Sequence, residues 1–239
     1  MNKRFYVPDL SDKRIEYASK FLQDMGYNEA KVENEADFVL LGVNPVGSLL
    51  KYEIPCFAGN VSDNNVYDYT KNEVFALKNA YLTAEGALAI AINNCEYSMI
   101  NAKVLLVGYG RIAKALHRYI APFTNNITVC ARSDEAITLA QSNCADTIRF
   151  SDLTKRNDYS YIFNTVPHPV FNEDELRALK KGAVLIDLAS FPGGVDVHFA
   201  KHLGINLITA RGIPAKCSPE SAGKVVAETV DIMVKGVFA

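Results

Sequence analysis

Lys103-Val104-Leu105-Leu106-Val107-Gly108-Tyr109-Gly110-Arg111-Ile112-Ala113 runs from an apolar, β-branched segment straight into a G-x-G-x-x-A turn, and no other stretch says as much about the architecture. The apolar run reads as a buried strand. The residues after it, with Ile112, Ala115, Leu116, Tyr119 and Ile120 at helical spacing, read as a helix over Arg111 to Ala121. Between them Gly108 permits a tight turn, Gly110 lets backbone approach a pyrophosphate with no Cβ in the way, and Ala113 allows close packing of helix on sheet. The free N–H groups and the positive end of the dipole at the helix start favour an anion there. Gly108, Tyr109, Gly110, Arg111 and Ile112 are therefore candidate cofactor-binding residues.

Downstream, the same alternation repeats. Asn126 to Ala131, Thr147 to Phe150, Tyr161 to Asn164, Ala183 to Asp187 and Asn206 to Thr209 are expected strands. Helices are expected over Asp134 to Asn143, with Asp134 as cap, near Glu173 to Leu179, and over Val197 to Leu203. Strands that alternate with helices imply an α/β fold with a doubly wound parallel sheet, a Rossmann domain. Upstream lies a smaller α/β domain. It has expected strands at Arg4 to Val7, Ala36 to Leu41 and Pro55 to Ala58, a helix over Lys13 to Met25, and a loop-rich stretch from Asn44 to Asn65 that includes Gly47. The expected division is residues 1–82 for this domain, 83–100 for a connector helix, 101–217 for the Rossmann domain, and 218–239 for a C-terminal helix. That helix, Glu220 to Lys235, is expected to pack across or back toward the N-terminal domain.

The end of the second Rossmann strand chooses between dinucleotides. An NAD site places an Asp or Glu about 20 residues past the glycines to hold the ribose 2′-hydroxyl. Here Cys130-Ala131-Arg132-Ser133 offers a guanidinium and a hydroxyl and no carboxylate, which suits the 2′-phosphate of NADP(H). A surface Arg free in solvent is the alternative.

In an open parallel sheet, ligands lie outside the carboxyl ends of the strands. Three loops sit there: Thr165 to His168, Ala189 to Gly194 and Arg211 to Ser218. Thr165, Val166 and Pro167 are expected on the nicotinamide side, with Ala189 nearby. Ser190, Gly193 and Gly194 supply a hydroxyl and backbone N–H groups to a substrate carboxylate, or else Pro192-Gly193-Gly194 only ends the strand. Arg211 and Lys216 are candidate cationic clamps. Ser218 binds substrate or caps the final helix. His168 carries an imidazole beside this turn and is a candidate base. His198 and His202 are spaced i, i+4 without a third ligand, so no metal is expected.

The chain has 239 residues, 25 Lys and Arg against 27 Asp and Glu, a net charge of −2, and 49% hydrophobic residues. That balance argues against a nucleic-acid partner bound through a basic face. The longest apolar runs, such as Ala87 to Ile92, fall far short of the roughly 20 residues of a spanning helix, and no apolar leader follows Met1. No membrane association is expected, and a cytoplasmic location is. The cysteines, five in number, are scattered without a C-x-x-C pair and are expected to be reduced, mostly packed as small hydrophobes.

The run Asn79-Ala80-Tyr81-Leu82-Thr83-Ala84-Glu85-Gly86, the glycine loop, Asn164-Thr165-Val166-Pro167, Ile186 to Gly194 with Asp196, and Gly212 to Pro219 with Ala222-Gly223 occur in this order. Together they make the chain resemble the dipicolinate synthase A family, the NADP-binding component of a two-component enzyme. The resemblance implies an NADP-dependent oxidoreductase that works with a flavoprotein-like second component. Its substrate would be a small dicarboxylate, a tetrahydrodipicolinate precursor converted to dipicolinate, the spore calcium chelator. It also implies roles for Thr83, as a donor to a substrate carboxylate or as a helix cap, and for Glu85, which orients a partner group or caps the helix. Phe191 stands where the family usually has Lys, Ala215 where it has Gly, and the N-terminal domain is shorter than is typical. Two other readings stay open: another NADP-dependent dehydrogenase of a small carboxylate, and a catalytically silent NADP-binding scaffold. The final helix and the Ala-rich connector each offer a packing face for a homo-oligomer.

Overall fold

The computed structural model describes residues 3–45, 52–61, 63, 66–156 and 158–239. Part of the loop-rich stretch expected over Asn44 to Asn65, Gly47 included, lies outside the described residues. The chain forms two compact units, Met1–Leu82 with Pro214–Ala239, and Thr83–Ile213.

The first unit opens with β1 (Arg4–Tyr6), α1 (Lys13–Asp24), β2 (Asn28–Ala30), β3 (Phe38–Val43), β4 (Cys56–Gly59) and β5 (Val66–Asp68). These strands form one parallel sheet in the order β2-β1-β3-β4-β5. β2 and β5 escape the sequence pattern because each is three residues long, with polar residues at an edge of the sheet. The next element, α2 (Glu73–Asn93), is divided between the units at Leu82. Its first turn is capped by Asn72, whose Oδ1 accepts from the N–H groups of Val74 and Phe75 at 3.0 and 3.1 Å. The helix thus starts ten residues before Thr83. Capping roles for Thr83 and Glu85 are corrected accordingly, since both lie in the helix interior.

The second unit continues with β6 (Val104–Val107), α3 (Arg111–Ile120), β7 (Ile127–Cys130), α4 (Asp134–Ser142), β8 (Asp146–Ile148), β9 (Tyr161–Asn164), α5 (Glu173–Arg177), β10 (Val184–Asp187), α6 (Val197–His202) and β11 (Asn206–Thr209). All its pairings are parallel, in the order β11-β10-β9-β6-β7-β8. That is the two-halved Rossmann arrangement, and its strand order reverses between β6 and β9. β6, β7, β9 and β10 are buried at every residue, as strands covered on both faces must be. One covering layer packs Ala113, Leu116 and Ile120 of α3 and Ala84, Ala87 and Ala91 of α2 on Val104 and Leu106. The opposite layer packs Leu176 and Ala200 on Leu105, Val107, Ile162 and Leu185.

Two short-range expectations are corrected. The cap of α4 is Ser133, whose Oγ accepts from the Ala136 N–H at 3.2 Å, and not Asp134, which occupies the first helical position. Asp196 likewise caps α6 through the Phe199 N–H at 3.0 Å. The boundary expected at residue 217 falls at Ile213, so the last residues of α7 (Ile213–Cys217) belong with the first unit.

The final helix, α8 (Pro219–Val237), lies within the first unit, where Val226 and Val230 share a core with Phe5, Phe38 and Phe57. It approaches α1 closely at Gly223. A Cβ built there would meet Tyr17 Cβ at 2.5 Å and the Arg14 carbonyl oxygen at 2.6 Å. Neither atom is the end of a flexible side chain. Gly223→Ala is therefore expected to destabilise the protein by about 1–3 kcal/mol, read from urea unfolding; unchanged stability would show that the two helices can separate without loss.

The cysteines divide differently from the expectation. Cys56 and Cys130 are buried, Cys95 is half-buried, and Cys144 and Cys217 are exposed. Burial pushes the thiols of Cys56 and Cys130 up to about 11 and about 12, so these two pack as neutral hydrophobes.

Candidate functional site

The reversal of strand order between β6 and β9 leaves a crevice at their carboxyl ends, where Gly108 meets Thr165. Gly108 has φ +85°, and a Cβ on it would lie 2.5 Å from Thr165 Oγ1 and 2.9 Å from Val166 Cγ2. The Thr165 hydroxyl is itself held, donating to the Val107 carbonyl at 2.8 Å. Gly110 is the opposite case. It has ordinary negative φ, it is the N-cap of α3 with no side-chain cap, and nothing lies within 4 Å of the position its Cβ would take. That open cradle, in front of a helix start that no side chain caps, fits a dinucleotide pyrophosphate.

Tyr109 and Ile112 support the loop from beneath. The Tyr109 ring is 8% exposed, and its hydroxyl lies 2.7 Å from Nδ1 of buried His117. Burial raises the pKa of the tyrosine and lowers that of the histidine, so this pair is neutral at physiological pH. The Tyr109 side chain is thus directed into the protein, which leaves only its backbone for the cofactor. Ile112 packs against the domain core.

Beside the glycine loop lies a cavity of about 500 Å³ lined by Gly108, Tyr109, Ala131, Arg132, Ser133 and Phe150, among others. Its place at the ends of β6 and β7 is that of the nucleoside half of a dinucleotide. Arg132 and Ser133 are exposed at its rim. Ser133 Oγ accepts from the Ala136 N–H, so its own proton stays available to an acceptor. Val166 and His168 line the same cavity. The His168 backbone also runs beside the loop after β10, its carbonyl oxygen 3.0 Å from where a Cβ on Gly194 would lie. Pro167 is exposed between Val166 and His168.

The loops after β9 and β10 are tied together by a pair to which the sequence pattern assigns no role. Asn164 is 0% exposed and Asp187 is 2% exposed. Asn164 Nδ2 donates to Asp187 Oδ1 at 2.7 Å and to the Val166 carbonyl at 3.1 Å, and Asn164 Oδ1 accepts from the Val166 N–H at 3.2 Å. The Asp187 carboxylate also accepts from the N–H groups of Ala189, at 3.4 Å, and Gly194, at 3.3 Å. A Cβ on Gly194 would collide with Asn164 Nδ2 and the Val166 carbonyl oxygen. The one available signal was the polar residue closing each of two otherwise apolar buried strands, YIFN and VLID.

This wiring corrects the expected use of Gly193 and Gly194. The Gly194 N–H serves Asp187, and the Gly193 N–H donates to the Ser190 carbonyl at 2.7 Å. Neither amide is open to a substrate. Ala189 is buried, while Ser190 is exposed. Arg211, after β11, donates through Nη2 to the Pro192 carbonyl at 2.9 Å, and its guanidinium lies 5.7 Å from the ring centre of the exposed Phe191. Its Nε is buried without a hydrogen-bond partner among the described residues. A buried cationic donor in that condition is costly.

Thr83 is buried in α2 and Glu85 is exposed on it. Lys216, in α7, is exposed and belongs to the first unit, as does Ser218, which precedes α8 without a side-chain capping bond. His198 and His202 lie exposed on α6, and among the described residues no group of three or more His, Cys, Asp or Glu is placed to hold a metal ion. No helix of the described residues is long and apolar enough to cross a membrane.

A family model described as D-isomer specific 2-hydroxyacid dehydrogenase, NAD binding domain, matches residues 83–190. Dipicolinate synthase A of Bacillus subtilis (strain 168) is 27% identical over 165 residues, which is 69% of this chain and 56% of that protein. The aligned region thus spans little more than half of that relative's length. Among solved structures, the dipicolinate synthase A chain from Bacillus subtilis matches with a TM-score of 0.82 at 19% identity, covering 99% of this chain and 97% of that one. Dipicolinate synthase A from Bacillus halodurans matches with a TM-score of 0.80 at 22% identity, covering 98% and 97%. The fold is that of these proteins, and the second unit is a nicotinamide dinucleotide domain of the dehydrogenase type.

Proposed function

The chain is a homologue of dipicolinate synthase A, and on that footing we propose that it is an NADP-dependent oxidoreductase converting a hydroxytetrahydro- or dihydrodipicolinate precursor to dipicolinate. The sequence relationship carries this reading. A flavoprotein-like second component is the proposed partner, and the cytoplasm the proposed location.

When bound, NADP⁺ supplies the hydride acceptor for oxidation of the ring. The chain's own part is binding and orientation. Gly108, Gly110 and the start of α3 receive the pyrophosphate. Arg132, assisted by the Ser133 hydroxyl, receives the 2′-phosphate. The Thr165 to Pro167 turn, fixed by Asn164, borders the nicotinamide side. Arg211 and Ser190 hold a substrate carboxylate, the first by charge and the second by its exposed hydroxyl. The test mixes the purified chain with the flavoprotein-like component, hydroxytetrahydrodipicolinate and NADP⁺. Production of NADPH and dipicolinate supports the assignment; neither product forming rejects it.

Cofactor choice is tested separately. A charge-assisted contact of about 1.5–3 kcal/mol gives a preference of roughly 10- to 150-fold for NADPH over NADH. Arg132→Ala is expected to erase most of that preference in a binding titration while leaving NADH affinity near its starting value. Equal affinities of the unmodified protein for the two cofactors would reject the 2′-phosphate site.

A further inference from the structure

The turn that carries Arg132 also carries two carboxylates, Asp134 and Glu135, in the first turn of α4. Those acids suit the helix dipole but oppose a dianion placed beside Arg132. One residue on the neighbouring strand end resolves the conflict. Arg149, just past β8, donates through Nη1 to the Arg132 carbonyl at 2.5 Å, and its Nη2 forms an ion pair with Asp134 Oδ1. A single guanidinium thus grips the 132–134 turn at two points. We propose that Arg149 is a specificity-determining residue for the 2′-phosphate, acting by cancelling the Asp134 charge beside the Arg132 subsite. This deepens the NADP reading and rests on it.

Local charge sets the size of the effect. Arg132, Arg149, Asp134 and Glu135 sum to zero. Without Arg149 the same turn carries one net negative charge facing a ligand group of charge close to −2. At separations of about 6–8 Å in a solvent-exposed setting, that change weakens binding by about three- to tenfold, more at low salt than at high. NADH lacks the phosphate and should move by less than about twofold on the same reasoning. Arg149 is 44% exposed and Asp134 is 90% exposed. The pair therefore contributes little to folding, and its removal leaves a folded protein to measure.

The experiment titrates the full chain with 2′,5′-ADP and with 5′-AMP, neither of which needs catalysis or a partner. Arg149→Gln should weaken 2′,5′-ADP by about three- to tenfold, leave 5′-AMP nearly unchanged, and show a larger loss at low ionic strength. Adding Asp134→Asn to that variant should restore most of the lost affinity. Failure of Asp134→Asn to rescue, or an equal loss for both probes, overturns charge compensation and leaves the 2′-phosphate reading standing. Equal binding of the two probes by the unmodified protein overturns that reading, and this proposal with it.

Discussion

Asp187→Ala is expected to destabilise the second unit by about 2–5 kcal/mol, because it removes the buried acceptor of Asn164 Nδ2 and of two backbone amides and leaves all three donors without solvent. Asp187→Asn keeps one acceptor oxygen in the same shape. It should cost about 1–3 kcal/mol, since its amide must face either Asn164 Nδ2 or the Gly194 N–H with a donor. Urea unfolding read by circular dichroism gives both numbers. The effect should extend beyond stability, because the network fixes the turn after β9 and the loop after β10 relative to each other. The Asn variant, if folded at working temperature, should bind 2′,5′-ADP as the parent does, since Arg132 lies on another loop, while losing affinity for ligands that reach Ser190. A stability change within about 0.5 kcal/mol for Asp187→Ala would mean that other contacts order these loops.

The two glycines of the turn should separate folding from binding. Gly108→Ala places a side chain at φ +85° and 2.5 Å from a Thr165 hydroxyl that is already committed to the Val107 carbonyl. Backbone strain and displacement of Thr165 together predict a loss of about 2–4 kcal/mol in stability. Gly110→Val meets nothing within 4 Å at its Cβ and keeps a permitted φ. Its stability should stay within about 1 kcal/mol of the parent, yet NADPH affinity should fall by about 100-fold, because the new side chain fills the approach to the start of α3. Parallel unfolding and NADPH titration of the two variants check this contrast. A Gly110→Val protein that binds NADPH normally would place the pyrophosphate elsewhere.

The Rossmann half is legible in the chain because its strands are buried on both faces and its helices on one. The two periods differ along the chain, and the glycine turn sits at their junction. Boundaries shift by a residue or two where a cap decides them, as when Ser133 rather than Asp134 closes the start of α4. In the first unit the two three-residue edge strands, β2 and β5, are not legible. An edge strand of that length has too few residues for a period to show, and its pairing is supplied by a neighbour distant in sequence. Arg132 and the glycines stand out from position alone because they sit in local turns at strand ends. Asn164, Asp187 and Arg149 cannot. A polar residue at a strand end carries no sign of its partner, and each of these finds it 15 to 23 residues away in the chain.

Hydrophobic period and the residues of single turns were enough to specify the parallel doubly wound sheet, the glycine turn and the exposed guanidinium and hydroxyl just past its second strand. Three outcomes needed the folded molecule: the amides of Gly193 and Gly194 are committed internally, His168 shares a cavity with Arg132, and Asp187 and Asn164 hold two loops in register. Each depends on which buried donor meets which acceptor when strands far apart in the chain are brought about 5 Å apart in a sheet, and a linear pattern does not encode that choice.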